Sequence, residues 1–307
     1  MCSYYRTELK EISTHARLNV YRVDDDRFHH QTYLLESPSG LEILLKPWIV
    51  GAELANLARK CSTDFLRTMY FIADEIRVSS YAHISEVVPL AGALYYSMAE
   101  AFEDVFGETI NRCFVGAKRY LSESGWKTKL AYENFEALNP ESVILIGDTI
   151  ATGGTIIKIL KTTLNQRDDI KALIVFSIAG GIDGAERLKE LADSIDVPLY
   201  VFFSNAIFGV EENGTDMPWL NPHTISTEKN LQLAKNAYGE WLGKKWCSVW
   251  DWGERAKQPT KHLSDLVQRC ESYLEKSLDT KSSHILGKIK REANKTLKEL
   301  NSPIILK

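Results

Sequence analysis

No run in the 307-residue sequence approaches the roughly 18 consecutive apolar residues that a bilayer-spanning helix needs. The opening Met-Cys-Ser-Tyr-Tyr-Arg lacks the apolar core of an export signal, so a cytoplasmic chain without membrane partners is expected. Cysteine is sparse: Cys2, Cys61, Cys113, Cys247 and Cys270 are odd in number, far apart and free of C-x-x-C spacing, which argues against a disulfide framework and against structural zinc. The His29-His30 pair lacks a second ligand cluster in sequence and is a poor metal candidate. Charge of one sign is also missing. A formal net charge of −4 and a pI near 6.0 give no general attraction to nucleic acid or an anionic surface, and neither partner is expected. Internal repeats and low-complexity tracts are absent. With 44% hydrophobic and 25% charged residues, what remains is a globular chain long enough for one α/β domain plus additions, with small molecules as partners. Asn213-Gly-Thr and Asn294-Lys-Thr match glycosylation triplets, which have meaning only on a secretory route.

The most informative stretch is Val143-Ile-Leu-Ile-Gly-Asp-Thr-Ile-Ala-Thr-Gly-Gly-Thr155. Val143 to Ile146 reads as a strand buried on both faces of a parallel sheet, and ligands in open α/β sheets collect beyond the carboxyl ends of such strands. Asp148 is the first charged side chain there. Thr152, Gly153, Gly154 and Thr155 then lead into Ile156, Ile157, Ile159, Leu160 and Leu164 at helical spacing. A helix N-terminus with unpaired N–H groups, close backbone approach at glycine and threonine hydroxyls suits a phosphate. The turn has no Lys-Ser/Thr after its glycines and no G-x-G-x-x-G spacing, which excludes the nucleoside-triphosphate and dinucleotide loops. Asp148 either serves the ligand or caps the helix.

Elsewhere, Arg17 to Val23, Gln31 to Glu36 and Leu41 to Leu45 read as strands, with Ser37-Pro-Ser-Gly40 as a hairpin turn. Residues 1–55 are thus expected to form an N-terminal β-rich appendage. A helical pattern follows over Asn56 to Arg77. Val87-Val88-Pro-Leu-Ala-Gly92 reads as a buried strand and small-residue turn before a helix at Leu94 to Phe106. Strands at Cys113 to Val115, Leu173 to Ile178 and Leu199 to Phe203 alternate with helices. Residues 56–259 are therefore expected to form an α/β domain around a parallel sheet flanked by helices.

The turn at 148–155 resembles the phosphoribosyl diphosphate (PRPP) motif of type I phosphoribosyltransferases. Over residues 60 to 256, five segments resemble, in order, those of the uracil phosphoribosyltransferase branch. Val88-Pro-Leu-Ala-Gly-Ala-Leu94 is similar to V-P-I-L-R-A-G-L, the pyrophosphate loop, without its arginine. Val115-Gly-Ala-Lys-Arg119 is similar to I-G-L-Y-R, and Gly147 to Thr155 to D-P-M-L-A-T-G-G-T, with glycine at the first acid. Ala179-Gly-Gly-Ile-Asp-Gly-Ala185 resembles A-A-P-E-G-I-E-A, and Trp250-Asp-Trp-Gly-Glu-Arg255 resembles G-D-A-G-D-R. Gly209 to Gly214 is similar to G-L-N-E-H-G, and the chain between it and Trp250 is an insertion.

The resemblance implies a type I phosphoribosyltransferase fold and transfer of phosphoribose from Mg²⁺-bound PRPP to a nitrogen of a small aromatic base, uracil-like by analogy. Asp148 and Arg119 would be catalytic. Ala91, Gly92, Lys118, Ala151, Thr152, Gly153, Gly154 and Thr155 would hold PRPP, and Trp250, Asp251, Trp252, Gly253 and Arg255 would line the base pocket. Magnesium would be held largely by substrate oxygens and water, without a dedicated protein cage. A PRPP-sensing regulator and a transferase with a non-nucleobase acceptor stay open as alternatives. The tryptophans either stack on the base or form a core layer. Lys118 and Arg119 either clamp phosphate or face solvent. Asp216-Met-Pro-Trp-Leu-Asn-Pro-His223 has the composition of a lid.

From residue 260 to 307 a helical extension is expected. Leu263, Leu266, Val267, Cys270, Tyr273, Leu274 and Leu278 mark one amphipathic face, and Ile285, Leu286, Ile289, Leu297 and Leu300 another. These faces either pack on the domain or join two copies into a homodimer. Lys288, Lys290, Arg291, Lys295 and Lys298 make the second helix basic, and a solvated face is the expected use.

Overall fold

The computed structural model describes residues 7–12, 18–90, 92–122, 125–246, 252–276 and 279–302. In chain order the elements are β1 (Glu8–Ile12), β2 (Val20–Asp24), β3 (Thr32–Leu35), α1 (Pro38–Leu45), α2 (Gly51–Ile72), α3 (Asp74–Val78), β4 (Ile84–Leu90), α4 (Met98–Phe106), β5 (Asn111–Ser122), β6 (Gly125–Asn134) and β7 (Val143–Gly147). They continue as α5 (Gly154–Leu164), β8 (Ala172–Ser177), β9 (Gly180–Gly181), α6 (Ile182–Ala192), β10 (Leu199–Ser204), β11 (Ala206–Phe208), β12 (Ile225–Ser226), α7 (Glu228–Gly243), α8 (Trp252–Lys257), α9 (Pro259–Leu274) and α10 (Thr280–Asn301).

Every residue of β7, β8 and β10 is buried, as expected for apolar runs such as Ala172-Leu-Ile-Val-Phe-Ser177 covered on both faces. The sheet order is β1-β2-β3-β10-β8-β7-β4-β5-β6. Pairing is parallel from β3 to β5 and antiparallel at both margins, β1-β2-β3 and β5-β6. The central, mostly parallel sheet and the flanking N-terminal strands and C-terminal helices agree with the α/β expectation. One sheet face packs on α2 and α4 through Leu54, Phe65, Met69 and Phe102. The other packs on α5 and α6 through Ile156, Leu160, Ala185 and Leu188.

Leu41 to Leu45 corrects the expectation: it is the body of helix α1, not a strand. Ser37 is its N-cap, with Oγ accepting the Gly40 N–H at 3.2 Å, and Pro38 occupies the first turn. Ser-Pro-Ser-Gly is therefore a helix start, and the five-residue stretch Leu-Glu-Ile-Leu-Leu is too short for periodicity to tell helix from strand. Strand β5 also runs well past Val115, through Lys118 and Arg119, and returns as β6.

A third core cluster joins α1 to α7, α9 and α10, with Leu44, Trp219, Tyr238, Leu263, Leu266, Leu286 and Ile289 inside it. The C-terminal helices thus pack on the rest of the chain. Trp219 is corrected by this placement: it is fully buried, donates from Nε1 to the Leu44 carbonyl at 3.1 Å and meets Phe208 edge-on, so the inserted segment is core at its centre and not a lid. His223 is exposed. Among the described residues, no helix is long and apolar enough to cross a membrane.

Candidate functional site

β4, β7 and β8 lie side by side and parallel, so the loops leaving their carboxyl ends share one edge of the sheet. Asp148 follows β7 directly, and its N–H donates to the Phe176 carbonyl at 3.0 Å, continuing the strand pairing for one more residue. Its carboxylate accepts the Thr149 N–H at 2.8 Å. By exposed area Asp148 is half-buried, yet the surrounding wall crowds it: burial pushes the carboxyl up to about 7, against the opposing pull of the Thr149 N–H and the charge of Lys257. It does not cap α5, whose N-cap is Gly153.

The backbone between Asp148 and α5 is pinned to the neighbouring turn. Ile150 donates to the Ala179 carbonyl at 3.1 Å, Gly181 donates to that of Ile150 at 2.7 Å, and Gly184 donates to that of Ala151 at 3.0 Å. Gly153 then turns the chain with φ +77°, and a Cβ there would lie 3.1 Å from the Gly184 Cα. Both the left-handed backbone and the close approach require glycine. As Gly153 has no side chain, the first-turn amides of α5 receive no side-chain cap. Gly154 is exposed, whereas Thr152 and Thr155 are half-buried. Gly214, in the segment similar to G-L-N-E-H-G, comes close to Thr152: a Cβ there would lie 3.3 Å from the Thr152 Cγ2. From β6, the Thr128 Oγ1 lies 3.3 Å from the Thr155 Oγ1.

The backbone of Arg119 pairs with that of Thr128, which brings β5 beside the start of α5; the Arg119 side chain lies outside the described set. Lys118 is exposed on the same strand. After β4, Gly92 begins a short helical turn, and its carbonyl accepts the Trp252 Nε1–H at 2.9 Å. The indole is 5% exposed and packs against the fully buried Tyr96 ring at 4.8 Å. Tyr96 Oη in turn accepts the Ile178 N–H at 3.2 Å and sits 3.5 Å from the Thr149 Oγ1. Trp252 therefore follows the core alternative, packed in the first core cluster. Asp148 and Gly153 in the turn after β7, Gly154 and Thr155 at the start of α5, and Gly92 and Trp252, which hydrogen-bond to each other, lie toward the same end of the sheet; Gly253 follows Trp252 in α8, half-buried. Ala91, Trp250 and Asp251 lie outside the described residues.

Arg255 is placed elsewhere. It is 1% exposed, and its guanidinium donates to the carbonyls of Ile43, Lys46 and Ile49 at 2.9 to 3.3 Å. Burial pulls it down to about 10, so it stays charged at neutral pH, and its fork braces the corner between α1 and α2.

Sequence reasoning missed Tyr96, Thr149 and Lys257. Tyr96 explains Gly147: a Cβ at 147 would lie 2.9 Å from the Tyr96 Cδ1, so no acid fits at the position where the resembling motif carries its first one. Lys257 is exposed at the end of α8, two residues past the motif that was read. Among the described residues, no group of three or more His, Cys, Asp or Glu converges on a metal-sized point.

No protein-family model and no curated protein matches the sequence. Solved structures do resemble it. The AQ2163 protein from Aquifex aeolicus is 16% identical, over 59% of this chain and 95% of that one, with a TM-score of 0.45. An adenine phosphoribosyltransferase from Leishmania donovani is 14% identical over 65% of this chain and 87% of that one, with a TM-score of 0.37. A hypoxanthine phosphoribosyltransferase from Staphylococcus aureus is 12% identical over 51% and 75%, with a TM-score of 0.32.

Proposed function

We propose that the chain binds Mg²⁺-PRPP at the edge formed by β4, β7 and β8 and transfers its phosphoribosyl group to a ring nitrogen of a small aromatic base, releasing pyrophosphate. The observation that carries this reading is the uncapped, glycine-initiated N-terminus of α5 next to the half-buried Asp148 carboxyl. The α5 amides and the hydroxyls of Thr152 and Thr155 take the terminal phosphate of the sugar. Loss of pyrophosphate from the sugar C1 leaves a cationic, oxocarbenium-like centre, so positioning and charge matter more than a covalent nucleophile. Asp148 orients the ribose hydroxyls, directly or through water. Lys118 and Arg119 on β5 supply cations for phosphate oxygens, and the turn that begins at Gly92 receives the leaving pyrophosphate. The acceptor base is taken beside residues 250 to 253.

The donor set fits magnesium. One half-buried carboxylate and no wider ligand cluster among the described residues suit a hard ion that keeps water and substrate oxygens as most of its ligands. When bound, it would neutralise charge on the pyrophosphate.

Calorimetric titration with Mg²⁺-PRPP is expected to show saturable binding, weakened about tenfold by Thr155→Ala through loss of one charge-assisted hydrogen bond. Asp148→Asn is expected to lower turnover more than affinity. Pyrophosphate release with a panel of bases then identifies the acceptor. If both variants titrate like the parent, the site is wrong; if PRPP binds but no base releases pyrophosphate, the site stands and the transfer does not.

A further inference from the structure

Helix α10 carries a row of cations along its exposed side. Lys281, Lys288, Arg291, Lys295 and Lys298 recur at intervals of 7, 3, 4 and 3 residues, and all five are exposed. At 100° per residue they fall within an arc of about 100°, and at 1.5 Å rise per residue they span about 25 Å. The opposite side of the helix, Ile285, Leu286, Ile289 and Ala293, is buried against α9 and α7. Lys290, off the row, pairs with Glu271 of α9 at 2.7 Å. No ion pair among the described residues involves the five lysine and arginine members of the row. The two acids of the helix, Glu292 and Glu299, sit along one border of it. Near its start, Glu240 lies among Lys235, Lys244 and Lys281. The row also stands on the basic end of a polarised molecule: residues 228–307 hold 16 of the 37 lysines and arginines but 10 of the 41 acids.

We propose that this face of α10 docks along the phosphate backbone of duplex DNA, without reading its sequence. A linear row of unpaired cations matches a polyanion whose charges are fixed at regular intervals. An anionic membrane would need the apolar face of the helix, which is inside the protein. An acidic protein partner would engage aromatic or apolar anchors, and a single strand would need aromatic platforms for its bases; the row contains neither. A B-form major groove, about 12 Å wide, accepts the outer face of one helix, whereas that of duplex RNA is too deep and narrow. This surface is independent of the PRPP site.

The test is fluorescence anisotropy of the full chain with a labelled duplex of arbitrary sequence at about 50 to 200 mM salt. Binding is expected, with log K falling against log salt at a slope near −4, as for four to five neutralised phosphates. Combined Lys288→Gln, Arg291→Gln and Lys295→Gln should flatten the slope by about 2.7 and weaken binding at least tenfold at about 50 mM salt. Lys290→Gln should change neither. Lys298→Glu alone, at the helix end, should weaken binding in the same direction, and a thermal melt checks that each variant folds. The proposal is overturned if the duplex does not bind at low salt, if the triple variant binds as the parent does, or if single-stranded DNA, duplex RNA, anionic vesicles or polyglutamate compete better than duplex DNA.

Discussion

At Asp148 a single carboxyl couples the site to the stability of the fold. Aspartate in an unfolded chain titrates near 3.9, whereas burial pushes this one up to about 7. Below about pH 4 it is protonated in both states and has no effect. As pH rises from about 4 through about 7, the native state alone resists ionisation, so stability falls over that window and levels above it. Asp148→Asn should therefore be more stable than the parent at about pH 8 by on the order of 1–2 kcal/mol, reduced from full linkage because the group is half-exposed, and the difference should vanish near pH 4. Parallel melting profiles of the two proteins across that range would mean that the carboxyl is not raised. Arg255 presents the opposite case, a residue that looks like a ligand contact in sequence and serves the scaffold in space. Arg255→Lys keeps the charge but cannot span three carbonyls, so chemical denaturation should show a loss of about 3 kcal/mol. Asp148 was legible because its strand and turn are contiguous. Arg255 was not, because its partner Ile43 lies 212 positions away and nothing local marks it.

Among the elements, the turn into α5 shows how much a short segment can specify. The apolar run, the acid and the Gly/Thr corner together dictate strand, edge and helix start, and the structure has each of them in that order. Its two glycines are nevertheless unequal. Gly153 has φ +77° and backs onto Gly184, so Gly153→Ala should cost about 1–2 kcal/mol for the left-handed backbone, with a further loss from the 3.1 Å approach. At Gly154 the nearest neighbour of an added Cβ is the Arg187 guanidinium at 3.5 Å, an ordinary contact, so Gly154→Ala should melt within about a degree or two of the parent. Equal melting temperatures for the two variants would show that the turn is not held as described. The start of α1 was misread for a physical reason: Ser-Pro-Ser-Gly is compatible with both a hairpin turn and a capped helix, and burial of Ile43 in the first core cluster and Leu44 in the third decides between them. Strand β6 was missed because Trp126-Lys-Thr-Lys-Leu-Ala-Tyr-Glu mixes polar and apolar residues, without the continuous apolar run that betrayed the central strands.

On the scale of the whole molecule, the two ends of the sequence hold each other. The corner at residues 44–49 is gripped from the far half of the chain by Trp219, Tyr238, Arg255 and His262. Tyr238 Oη donates to the Leu45 carbonyl at 2.8 Å and His262 Nε2–H to that of Pro47 at 2.8 Å. Burial and the nearby Arg255 charge depress His262 to about 4, so it is neutral in the native state over most of the pH range. An unfolded histidine titrates near 6.5, and the stability this residue contributes is present above that value and is lost as pH falls toward about 4. The helices from Pro259 onward then close the core with Leu263, Leu266, Cys270, Leu286 and Ile289, each 2% exposed or less. Large buried apolar side chains are worth about 2–5 kcal/mol apiece when removed, against a total stability of about 5–15 kcal/mol for a typical domain. A chain cut before Pro259 should therefore fail to give a soluble protein with a cooperative melt, whereas removing only the residues after Asn301 should leave the transition in place. If the shorter chain folds and melts within a few degrees of the parent, the sheet and its two flanking helical layers are self-sufficient, and the third cluster is an attachment instead of part of the foundation on which the α5 turn and Asp148 are held.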